Sequence, residues 1–164
     1  MVLVFFLTGT YWISNSLTFD ENFKFLIPIA VVGLPILLGI FFGLANLISG
    51  PFLKSNFVSI LLFSGSLAFM DFARAKIFTG FPWNLWAYTW SNIPDVLQLL
   101  PTLGLFSFNL LCIIIYCSPL LLIFRKKFGY TIFILLGTIF FGNYIYGNSI
   151  IKKNNQYLAK IELN

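Results

Sequence analysis

Histidine is absent from the 164 residues, and with it go Ser/His and Cys/His catalysis and every His-ligated metal site. Charge is scarce too: Asp, Glu, Lys and Arg make up 9% of the chain, against about 25% in soluble domains. The two cysteines, Cys112 and Cys117, lie five apart on one apolar segment, so they fall on different faces of a helix. That spacing argues against a disulfide and against a metal site. No catalytic constellation assembles from the remaining residues, and no metal or cofactor is expected.

What fills the chain instead is apolar. Hydrophobic residues reach 59% and the mean hydropathy is +0.93, which marks an integral membrane protein. A span takes roughly 20 apolar residues, so this length holds at most about six spans, in one compact bundle. The net charge of +5 comes from Lys and Arg scattered over the loops without a long basic tract. Such residues anchor membrane helices at their ends, and binding to nucleic acid is not expected.

Hydropathy and breakers predict an all-α bundle of about five transmembrane helices over residues 1–153, with spans near 2–19, 25–48, 57–77, 103–124 and 130–151. The first span lacks a basic n-region and does not read as a cleaved signal peptide. Its second half carries Tyr11, Trp12, Ser14 and Asn15, which suit an interface or a bundle interior. The second span holds Pro28 and Pro35, with a kink expected near the latter, and its Gly39 and Gly43 offer a small-residue face for another helix. Ser55 or Asn56 suits the cap of the third. From Tyr157 the residues alternate in polarity, a strand signal, so 154–164 reads as the start of a missing extracytoplasmic domain.

Residues 71–88 organise the rest. Asp71 and Arg74 are three apart on a helix and can pair, and each charge would cost about 2.5–3.5 kcal/mol unpaired at mid-membrane. With Lys76 they form either an interfacial ion pair or a proton-shuttling or phosphate-binding group. After them Gly80, Pro82, Pro94 and Pro101 rule out one continuous helix, while Trp83, Trp86 and Trp90 gather between. This aromatic segment is either a surface loop within the interfacial aromatic belt or a re-entrant loop lining a cavity. Lys54, Arg125, Lys126 and Lys127 fall on one side of the bundle, against Lys24, Lys76, Lys152 and Lys153 on the other. The dense Arg125 cluster places its turn in the cytoplasm and residues 71–88 outside.

The run Arg74-x-x-x-Phe78-Thr79-Gly80-Phe81-Pro82-Trp83-Asn84, with Tyr88 after it, resembles the membrane region of bacterial apolipoprotein N-acyltransferases. In that family an acidic residue and an Arg precede a Phe-Thr-Gly-Phe-Pro-Trp run, and Asp71 stands where Glu is usual. Gly9-Thr10-Tyr11-Trp12-Ile13 is similar to the family's Gly-x-x-Trp-Ile segment, and Gln98, Gly104 and Ser107 to its Gln…Gly-x-x-Ser entry into the next span. The resemblance covers nearly all of this chain but only the middle of a family member.

The resemblance implies an enzyme that moves an acyl chain from a phospholipid, through a catalytic Cys, to the α-amino group of a diacylglyceryl-cysteine on a lipoprotein. It places the protein in the bacterial inner membrane. The Glu-Lys-Cys triad belongs to a nitrilase-like domain with no counterpart here, so the expectation is a truncated or split form, inactive alone, with a separate nitrilase-like chain as a possible partner. Trp12, Asp71, Arg74, Thr79, Gly80, Phe81, Pro82, Trp83 and Tyr88 are then candidates for binding the lipid substrates, and none is catalytic. The alternative from the residues alone is a small transporter or channel subunit using Asp71 and Arg74.

Overall fold

The computed structural model describes residues 2–77, 82, 84–124 and 127–162, and every regular element among them is helical. Helix α1 (Val2–Thr10) continues as a 3-10 segment (Tyr11–Thr18), and a second 3-10 turn (Glu21–Leu26) leads into α2 (Ile27–Ser49). Helix α3 (Phe57–Ile77) ends at the aromatic segment, whose described part holds a 3-10 turn (Trp86–Trp90), α4 (Pro94–Leu97) and α5 (Leu100–Leu103). Helices α6 (Leu105–Cys117), α7 (Leu120–Ile123) and α8 (Lys127–Glu162) complete the order.

Local chemistry sets the boundaries. Asn56 caps α3, its Oδ1 accepting from the Ser59 backbone N–H at 2.9 Å. Pro94 opens α4, where a missing N–H costs nothing. Gly104 has φ 76°, a left-handed value that favours glycine, and it turns the chain from α5 into α6. Pro35 lies inside α2, which runs through it unbroken.

Among the described residues, four helical stretches are long and apolar enough to cross a membrane: Lys24–Phe52, Phe57–Ile77, Leu105–Ile123 and Phe128–Gln156. The segment expected as the first span consists of nine α-helical and eight 3-10 residues. At 1.5 and 2.0 Å per residue these rise about 30 Å, close to the thickness of the hydrocarbon core.

Helix α2 packs between α1 and α3, α3 also packs on α6, and α8 lies against α4 and α7. The core is layered along the bundle: Ile60, Leu121 and Ile132 at one end, Ala45, Leu67 and Ile113 in the middle, and Leu85, Ala87, Val96, Phe108 and Cys112 under the aromatic segment. Outward residues such as Ile29, Val32, Ile40 and Leu47 are exposed and apolar, as a lipid-facing surface requires.

Two expectations give way. The tail is helical through Glu162 rather than a strand from Tyr157. No Gly or Pro interrupts residues 148–164, so an established helix propagates, whereas a lone strand would lack a partner. On α2, nothing stands within 4 Å of where a Cβ at Gly43 would be. On the inward face of α2, Ala45 and Ser49 are buried.

Candidate functional site: a buried ion pair beneath the aromatic segment

The inward stripe of α3 runs Ile60, Ser64, Leu67, Asp71 and Arg74, the three- and four-residue spacing of one helix face. Asp71 and Arg74 therefore enter the bundle on the same face as the apolar core. The Arg74 side chain is 2% exposed and that of Asp71 11%. The pairing expected from the sequence is present, buried within the protein.

Each carboxylate oxygen of Asp71 has its own donor. Arg74 Nη2 donates to Oδ1 at 3.0 Å, and Asn109 Nδ2, from α6, donates to Oδ2 at 3.0 Å. Asn109 Oδ1 in turn accepts the backbone N–H of Ala87 at 3.1 Å. One hydrogen-bonded line thus runs from Arg74 through Asp71 and Asn109 into the 3-10 turn, tying two membrane helices to the aromatic segment. A buried charge pair is costly wherever its remaining polar atoms go unsatisfied, and on the Asp71 side Asn109 satisfies them.

Around that turn the aromatic residues interlock. Trp90 stacks on Tyr116 of α6, ring centroids 6.1 Å apart, and meets Phe140 of α8 at 4.7 Å. The Thr89 and Tyr116 hydroxyls are hydrogen-bonded. Tyr88 is half exposed beside Arg74; burial pushes its hydroxyl above the usual phenolic range, and the Arg74 charge opposes that shift. It remains a protonated donor at neutral pH.

Arg74 Nη1 and Asn84 Nδ2 are among the buried donors at this end that have no hydrogen-bond partner. Asn84 has φ 56°, a conformation Asn tolerates better than most residues. A Cβ at Gly9 would lie 3.5 Å from Asn84 Nδ2, so the first segment packs directly against the aromatic one. Trp12, one turn on, donates through Nε1 to the Gly9 carbonyl at 3.0 Å and is half exposed.

Of the residues singled out from the sequence, the structure brings Asp71, Arg74 and Tyr88 together and sets Pro82, half-buried, in the same segment. Lys76 stands apart, 5.6 Å over the Phe72 ring on an exposed face. Thr79, Gly80, Phe81 and Trp83 lie outside the described residues. Asn109 escaped the sequence reading. Its signal was an amide inside an otherwise apolar span, two positions past Ser107, which itself is exposed.

A multi-pass helical membrane protein, with a hydrogen-bonded ion pair buried beneath an aromatic segment, is the class this geometry defines. The chain belongs to the apolipoprotein N-acyltransferase family: the family model described as the apolipoprotein N-acyltransferase N-terminal domain matches residues 1–118. Similar curated proteins carry the name apolipoprotein N-acyltransferase. That of Brucella melitensis is 30% identical over 96% of this chain and 31% of its own length. Those of Allorhizobium ampelinum and Sinorhizobium medicae are 33% and 32% identical over 87% and 72% of this chain, and 27% and 22% of their own lengths. The chain thus spans less than a third of the length of these relatives. No solved structure matches it.

Proposed function

We propose that this chain forms the membrane part of an apolipoprotein N-acyltransferase in the bacterial inner membrane, seating the phospholipid donor and the diacylated lipoprotein acceptor. The observation that carries this reading is the unpartnered Arg74 Nη1, a permanently charged donor buried at the loop end. A buried donor of this kind calls for an acceptor, and a lipid phosphate or ester oxygen supplies one. Tyr88 and Asn84 would add donors, while Trp12, Pro82 and the 79–83 run would border the acyl chains. The acyl transfer itself is assigned to a nitrilase-like domain carrying Glu, Lys and Cys, on the same polypeptide or on a separate chain.

The test is a chimera in which residues 1–151 replace the matching helices of the Brucella melitensis relative, assayed by the mass gain of an acylated lipoprotein. The chimera is expected to acylate. Arg74→Gln is expected to lower the rate about ten- to hundredfold, the worth of a hydrogen bond to a charged group. An Arg74→Gln chimera that folds and acylates at the parent rate would sink the reading.

Asp71, a carboxylate within a membrane span, favours a second reading as an ion-conducting subunit. Both its oxygens are already occupied by donors, which speaks against a proton relay. Proton flux in liposomes that disappears on Asp71→Asn would favour this second reading.

A further inference from the structure

The opposite end of the bundle holds a second candidate lipid site. Lys54 lies in the turn before α3 and Lys127 opens α8 at the same end, and in the sequence Arg125 and Lys126 directly precede Lys127. No carboxylate shares that end: Asp20 and Glu21 precede α2, Asp71 lies near the end of α3, Asp95 in α4 and Glu162 at the end of α8. The other end carries six cations against five carboxylates and is nearly neutral.

Beside Lys54 opens a cavity of about 230 Å³ walled by Leu53, Ile60, Phe63, Leu120 and Phe124. Its walls are almost wholly apolar, and Leu53 and Leu120 are exposed at its edge. The Lys54 backbone is fixed there, its N–H donating to Ser59 Oγ at 2.6 Å, while Ser59 Oγ donates to Asn56 Oδ1 at 2.9 Å. Lys54 itself is exposed, and no carboxylate among the described residues pairs with it.

We infer that this cavity holds an acyl chain of an anionic phospholipid from the leaflet at the basic end, with the lipid phosphate on Lys54. A chain entering from the bilayer finds apolar walls, and its head group finds the Lys54 cation at the mouth. The site is separate from the one beneath the aromatic segment and does not rest on its assignment. It would hold a resident lipid between α3 and α7 rather than a reactant.

The full chain in liposomes, with phosphatidylglycerol or phosphatidylcholine bearing a photoactivatable diazirine in one acyl chain, tests this. Adducts are expected on residues 53–63 and 117–124, about fivefold more with phosphatidylglycerol. Lys54→Gln should abolish the preference. Leu120→Trp, which fills the cavity and keeps the charge, should remove the adducts. Equal labelling by the two lipids, a preference that survives Lys54→Gln, or adducts that survive Leu120→Trp would overturn the inference, whatever labelling occurs near Arg74.

Discussion

Asp71 and Arg74 bury opposite charges inside the bundle, and Asn109 satisfies the carboxylate oxygen that Arg74 does not reach. Removing one partner leaves the other charge buried and uncompensated, a loss of about 3–5 kcal/mol, whereas removing both with apolar residues is far milder. Arg74→Leu or Asp71→Leu alone should therefore lower thermal stability in detergent more than the double substitution does. A double variant less stable than either single would show that the pair is not coupled in this way. The pairing was legible from the three-residue spacing, but its burial was not. In a soluble helix an inward stripe stands out against a polar face; here the lipid face is as apolar as the core, so the period carries little contrast. The amide that completes the network lies 38 positions away from Asp71, and no local pattern announces it.

Between elements, the closest fit is that of α8 against α4. A Cβ at Gly147 would overlap the Asp95 carbonyl and sit 2.7 Å from its carbon. On either side, Asn143 Nδ2 donates to the Val96 carbonyl at 3.1 Å and Asn148 Nδ2 to Asp95 Oδ1 at 2.9 Å. Gly147→Ala should cost about 1–3 kcal/mol by forcing these helices apart. At Gly142, with open space around it, the same change should be neutral or stabilising by up to about 1 kcal/mol. Equal melting temperatures for the two variants would refute the contact. The later span boundaries were readable because Gly-Pro, Ser-Pro and charged turns punctuate apolar runs. The tail misled because eight alternating residues satisfy a strand period, while Leu158, Ala159, Lys160 and Glu162 are equally good helix formers.

At the scale of the whole molecule, charge sorts the two ends of the bundle, and the positive-inside rule turns that sorting into an orientation. In a background lacking Cys112 and Cys117, Ser91→Cys should react with a membrane-impermeant maleimide on intact spheroplasts. Ser55→Cys should react only after permeabilisation. Both positions are exposed in turns, so the reverse pattern would invert the assigned topology.

Helix α8 has 36 residues and a rise of about 54 Å, well beyond a hydrocarbon core of about 30 Å. Gripped at Gly147, it leaves a rigid shaft of about 22 Å between the clamp and Glu162. A shaft fixes direction as well as height. Inserting one residue there would swing whatever meets its tip through about 100°, while seven would restore the heading and raise the tip by about 10 Å. The phase of this helix, more than its length, sets which way its far end faces relative to the buried ion pair below.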